Sequence, residues 1–329
     1  MTAIDVHTHM LSRAWFALIK KKGAPRFEVK RSKDYPAPLG IYSDGAPFMT
    51  PQPGHFDYKL RIKEMDAARV DMAIVSLTTP NCYWGDAETS LAAAQLVNDD
   101  MAEAQGTYPG RIRWLASMPW EYPKLAVSEL KRACRKGAVG VMVLANVAER
   151  SLTDPLFAPI WAEIDRRALP VLVHPTAPPG VNYLDMRRYN LVAQIGFMFD
   201  TSLAIARMIY DGFLDRYPNL KIIASHGGAA LPYLAGRLDI CFDNMVAVRE
   251  KIKEPPREYL TRIYYDAVVY RQEALEMCIN VGGEGNVMYG SDWPHNIGDM
   301  KGCLGRVNSL PSRARKAVSG ANAERIFRL

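Results

Sequence analysis

Eight short apolar runs, the first seven each followed by residues of helical period, constrain this chain more than any other feature. The runs cover residues 4–10, 71–77, 111–118, 138–144, 170–174, 220–226, 262–267 and 286–292. Helical periodicity fills 58–69, 86–106, 123–136, 154–168, 201–217, 232–251 and 271–281. Strands alternating with helices around one core predict an α/β fold, and eight of them predict a (β/α)8 TIM barrel. An open doubly wound sheet is the alternative, but no G-x-G-x-x-G follows the first run to support a nucleotide fold. The length of 329 residues suits a single barrel domain spanning 1–329, and 49% hydrophobic residues suffice for a large core.

The alternation is interrupted once, between residues 10 and 57, by a stretch rich in proline, glycine and basic residues. A long irregular insertion directly after strand one is expected to form a lid over the strand ends. His55, near its end, reads as a surface or lid histidine. The net charge of +6 is spread along the chain, with clusters at Lys20-Lys21-Lys22 and around Lys30-Arg31-Ser32-Lys33. No nucleic-acid module accompanies these clusters, so the charge implies at most a modest pull on anionic small molecules. Five scattered cysteines without a C-x-x-C argue against a disulfide framework and fit a reducing compartment. No apolar run approaches membrane-spanning length, and strand one begins too early for a signal peptide. A soluble cytoplasmic protein is expected.

Ligand-type side chains recur where the runs end. His7 and His9 lie two apart on strand one and project to the same face. His174 ends run five, His226 run six and Asp292 run eight. In a barrel these ends share one rim, where chemistry is built. Imidazoles with a carboxylate suit one divalent transition ion, zinc first, with manganese or cobalt as alternatives. Asp266, at the end of run seven, is either a pocket hydrogen-bonder or a structural carboxylate. Trp84 and Tyr83, after run two, are pocket walls or packing residues. The Gly282-Gly283-Glu284-Gly285 loop falls on the opposite rim and reads as a turn.

The motifs Val6-His7-Thr8-His9, Val173-His174-Pro175, Ser225-His226-Gly227-Gly228 and Gly290-Ser291-Asp292-Trp293-Pro294 resemble those of the amidohydrolase superfamily. The likeness is to the branch containing the aminocarboxymuconate semialdehyde, resorcylate and carboxyvanillate decarboxylases. It includes Arg61-Ile62-Lys63-Glu64-Met65-Asp66 and Gly320-Ala321-Asn322-Ala323. The resemblance implies a metal-dependent, non-oxidative decarboxylase of an aromatic or unsaturated carboxylic acid; a hydrolase or hydratase on the same scaffold is the alternative. It implies His7, His9, His174 and Asp292 as metal ligands, His226 as the residue that handles a proton, and Asp292 as a possible proton shuttle. Run four ends without the bridging lysine of two-metal members, so one metal is expected. Arg237 matches an arginine that reaches a substrate carboxylate in the neighbouring subunit, which implies a homodimer or dimer-based oligomer. Two positions depart from the branch. Met49 stands near a lid arginine, and His295 stands where the semialdehyde enzyme has an aromatic residue, either as a substrate contact or as a plain loop residue. Both point away from a muconate semialdehyde substrate.

Overall fold

The computed structural model describes residues 2–32 and 38–329; Lys33 and Pro36 of the basic, proline-rich insertion lie outside the described residues. The eight runs form one parallel sheet in sequential order: β1 (Ile4–His9), β2 (Met72–Ser76), β3 (Ile112–Ala116), β4 (Gly140–Leu144), β5 (Pro170–His174), β6 (Lys221–Ala224), β7 (Tyr264–Asp266) and β8 (Val287–Met288). Backbone bonds join its edges: Val6 N–H donates to Tyr289 O (3.0 Å), and Asp292 N–H to His7 O (2.8 Å). A helix follows each strand on the outside. The fold is therefore a (β/α)8 barrel, as expected.

Register brings the strand ends to one rim: His9 lies opposite Ser76, His174 opposite Leu144, and Asp266 opposite Met288. Outside the strands, Trp120 stacks edge-on against Trp161 (5.0 Å between rings), and Trp161 donates its indole N–H to Leu152 O (2.8 Å). Large aromatic groups thus fill the barrel-to-helix layer, with the Trp161 N–H bonded and that of Trp120 buried without a partner.

Three expectations are corrected. β6 and β8 end earlier than their apolar runs: past β6, His226 (φ 55°) adopts left-handed backbone that cannot continue a strand, and β8 stops at Met288, after which Tyr289 N–H leaves the sheet for Val318 O (2.7 Å). The insertion after β1 is not irregular throughout. Ser12 caps a helix over Arg13–Lys22, which buries Trp15 and Ile19, and a small antiparallel sheet pairs Glu28–Lys30, Gly40–Ser43 and Ala46–Met49. Its hairpin turns at Asp44-Gly45, both with positive φ (50° and 78°), the geometry for which Asp-Gly is suited. Finally, the segment Arg188–Tyr210 is long and apolar enough to cross a membrane by length and composition. Here it is the element after β5, broken at Tyr189 (φ 57°), with Ile205, Met208 and Ile209 packed on the barrel.

Candidate metal centre

Strand alternation turns His7 and His9 inward from β1, and β5 adds His174. The three rings form a nearly equilateral triangle, with centroids 5.0 Å (His7–His9), 5.1 Å (His7–His174) and 4.8 Å (His9–His174) apart. All three are buried. Asp292 closes the triangle from the loop after β8. Its Oδ1 lies 3.1 Å from His9 Nε2 and 3.4 Å from His7 Nε2. Bonds of about 2.0–2.2 Å to one cation put neighbouring donor atoms about 3–3.5 Å apart.

The partners of the other ring nitrogens orient these donors. His174 Nδ1 donates to Pro175 O (2.8 Å), which leaves its Nε2 lone pair free. His7 Nδ1 donates to Asp266 Oδ2 (2.6 Å), and His7 Nε2 is buried with no hydrogen-bond partner. An orphaned imidazole nitrogen facing a carboxylate and two further imidazoles fits a metal ion. His9 Nδ1 lies 3.2 Å from Ser76 Oγ.

The protonation states of His9, His174 and Asp292 agree with ligation. Burial and neighbouring imidazoles push His174 well below its ordinary value, and burial pushes His9 down to about 3 against the pull of Asp292. Burial opposes ionisation of Asp292, but the nearby His226, a hydrogen bond with His9 and the imidazoles around it hold its carboxyl well below the usual range. Burial also opposes a charge on His7, yet the Asp266 carboxylate raises it.

His226 approaches Asp292 Oδ2 from another side, its Nε2 at 3.8 Å, and its Nδ1 has no partner. Donor atoms of His7, His174, His226 and Asp292 all lie within 4.8 Å of one another, as do those of His9, Asp292 and His295. Asp292 is common to both groups. The tight loop holding His226 needs Gly227 at φ 65°, where an added Cβ would come within 2.6 Å of Val269.

The remaining expected residues fall in different places. Asp266 is not on the pocket wall. It lies buried beneath His7, and besides that imidazole it accepts the backbone N–H groups of His226 (3.0 Å), Gly227 (3.1 Å) and Val268 (3.0 Å). Trp84 is buried away from the cavity, its indole N–H given to Asn81 O (2.8 Å). Arg237 is exposed on the helix Leu231–Asn244 and does not line this chain's cavity. His295 and Met49 do line it. His295 Nε2 lies 3.1 Å from Thr78 Oγ1.

The parts played by two residues escaped the sequence reading. His55 is neither superficial nor remote. It is fully buried, accepts Gln52 N–H at Nδ1 (2.9 Å), and stacks 5.0 Å from His295, which in turn lies 4.9 Å from His9. All six histidines of the chain therefore belong to one connected cluster. Arg61, also buried, donates to Thr8 Oγ1 (2.7 Å) and His9 O (2.5 Å) and lies 4.4 Å above the Trp293 ring, bracing the β1 end against the β8 loop. No periodicity marks His55, and Arg61 reads as one more charge on an amphipathic helix.

Above the cluster opens a cavity of about 840 Å³, whose floor includes His174, His226 and Asp292. A (β/α)8 barrel with buried imidazoles and a carboxylate at its carboxyl rim defines a metal-binding enzyme scaffold. The chain belongs to the amidohydrolase family, whose model matches residues 4–329. It is 32% identical to 2-amino-3-carboxymuconate-6-semialdehyde decarboxylase of Dictyostelium discoideum, over 90% of this chain and 83% of that one. It is 27% identical to gamma-resorcylate decarboxylase of a Rhizobium species, over 82% and 86%. Among solved structures, 5-carboxyvanillate decarboxylase from Sphingomonas paucimobilis superposes with a TM-score of 0.86 at 28% identity, covering 100% of this chain and 99% of that one.

Proposed function

We propose that this protein is a metal-dependent carboxy-lyase that removes CO2 from an aromatic or unsaturated carboxylic acid without oxidation. The observation that carries this reading is the buried cluster of imidazoles and one carboxylate at the floor of a ligand-sized cavity, in a chain whose relatives are decarboxylases. His7, His9, His174 and Asp292 would hold one divalent ion. The near-equal spacing of the three rings supports this set, and three imidazoles with one carboxylate favour zinc over manganese. When bound, the cation supplies a fixed positive charge that orients substrate oxygens and draws electron density from the breaking bond.

This chain's own groups supply the rest. In the reaction the bond between the substrate carbon and its carboxylate breaks, CO2 leaves, and the carbon takes up one proton. His226, with Nε2 directed at Asp292 and Nδ1 free, is positioned to deliver that proton, and Asp292 to relay it. His295 contacts the substrate from the cavity wall. Asp266 acts indirectly, holding the His7 tautomer and the His226 loop together. The small sheet of the insertion, which brings Phe48 and Met49 to the cavity, serves as the lid. In a cytoplasmic homodimer Arg237 of one subunit would pin the departing carboxylate in the other. Its helix buries only Leu231 and leaves Tyr233 and Ile240 exposed, and Ile195, Phe199 and Leu203 make a second exposed apolar stripe.

Metal-loaded protein incubated with a panel of hydroxylated benzoic acids should release CO2 from at least one of them, with one zinc per chain by elemental analysis. A product that has gained water without releasing CO2 would refute the lyase reading, and Arg237→Gln with unchanged KM would refute the role across subunits.

A further inference from the structure

The charges facing the cavity decide what kind of acid fits it. Among the described residues, its lining holds one guanidinium, Arg187, and one carboxylate, Asp292. Three of the five Arg187 N–H donors are engaged, and its charge is paired. Nη2 pairs with Asp44 Oδ2 (2.8 Å), Nη1 donates to Ser43 O (3.0 Å) and Nε to Asn182 Oδ1 (2.9 Å). The Asp44-Gly45 turn sets this arrangement, because it brings Asp44 to the guanidinium. Arg187 also lines a neighbouring cavity of about 460 Å³ and so stands in the wall between the two. Away from the histidine floor the surfaces are apolar: Phe48 and Met49 from the hairpin face Val181, Phe197 and Met198 after β5. The polar groups that remain, such as Thr78 and Asn296, are neutral.

Resting on the carboxy-lyase reading, we propose that the substrate is a monocarboxylic aromatic acid with an uncharged, apolar ring substituent, which lodges between the hairpin and the segment after β5. A second carboxylate there would leave water with only Arg187, already paired with Asp44, to meet it, since Arg237 of a second subunit is assigned to the departing carboxylate, and it would stand over the ionised Asp292, whereas an alkyl or ether group would gain by burial against Met49 and Phe197. The cavity volume lies in the upper part of the range of about 300–1,000 Å³ usual for small-molecule sites, which leaves room for such a substituent beside the ring.

Calorimetric titration of the metal-loaded protein with 3-ethylbenzoate and with isophthalate tests this on a matched pair that differs in one charge. We expect 3-ethylbenzoate to bind about 10- to 100-fold more tightly, the ratio corresponding to one unmet buried charge. Met49→Arg should reverse the order by supplying the missing cation. Isophthalate binding equally or more tightly to the unmodified protein overturns the inference alone. So does isophthalate affinity that vanishes in Arg187→Gln, which would show that guanidinium leaving Asp44 for the ligand. If neither acid binds, the carboxylic-acid reading itself fails and this inference falls with it.

Discussion

Replacing Asp266 with asparagine should damage both the fold and the metal site, by amounts that follow from four hydrogen bonds. The Oδ2 atom accepts His7 Nδ1 and the His226 N–H; Oδ1 accepts the N–H groups of Gly227 and Val268. With its NH2 toward Gly227 and Val268 an asparagine strands both N–H groups; with it toward His7, that imidazole can switch tautomer and accept, and the His226 N–H alone is stranded. At about 1–3 kcal/mol per unsatisfied buried donor, the loss is about 1–6 kcal/mol. Against a typical stability of about 5–15 kcal/mol the variant should still fold, but with a clearly lowered urea midpoint. Loss of the carboxylate also removes what fixes the His7 tautomer, and metal affinity should fall about 10- to 100-fold. Urea unfolding of the metal-free protein measures the first effect, and competition with a chromophoric chelator the second. Stability within about 0.5 kcal/mol of the parent, the range of ordinary surface substitutions, would refute the bracing role. Unchanged metal affinity would refute the orienting one.

Other perturbations separate the remaining parts. His174→Ala should lose the metal, whereas His226→Ala should retain it and lose turnover; elemental analysis of both variants distinguishes a ligand from a proton-handling group. Arg61→Met leaves His9 O without its donor and Asp5 without its neighbouring cation, and should cost about 3–5 kcal/mol in urea unfolding, with expression as a soluble chain as the first check. Asp200 is buried behind Asn146 and Thr176, and burial pushes its carboxyl up from 3.8 to about 7. The folded chain then binds this proton more tightly than the unfolded one, so the group lowers stability as pH rises from about 4 to about 7, by up to about 4 kcal/mol. Asp200→Asn should flatten that part of the stability-versus-pH curve; an unchanged slope would contradict the assignment.

The barrel was legible because parallel strands buried on both faces leave continuous apolar runs, and β1 to β5 fall close to where those runs lie. The ends of β6 and β8 were not, since neither the left-handed backbone at His226 nor the turn of Tyr289 N–H to Val318 O alters the apolar pattern. The ligand-type residues could be recognised from their positions at strand ends. The part each plays beyond that depended on three-dimensional partners. Asp266 could have faced the cavity or the barrel interior, and only its four donors show which. Arg237 lies on a helix whose rotation about the barrel no local pattern encodes, and Trp84 in a turn whose packing none does. The insertion was masked by its proline and glycine content, although Asp44-Gly45 is a hairpin signal in its own right. His55 sits outside every periodic segment, and only the packing of the Pro53–His55 turn against the β8 loop brings it to the others.

Because every imidazole of the chain lies in one cluster, the protein carries a built-in spectroscopic reporter. Six ring systems should give six sets of nitrogen-15 and proton signals in a histidine-labelled sample, and none would arise from an uninvolved surface residue. Titrating metal into such a sample would order the histidines by their response, separating those that bond the ion from those that only sense it. A histidine-selective acylating reagent would meet only this cluster as well, so protection from modification would read out occupancy of the cavity without any knowledge of the substrate.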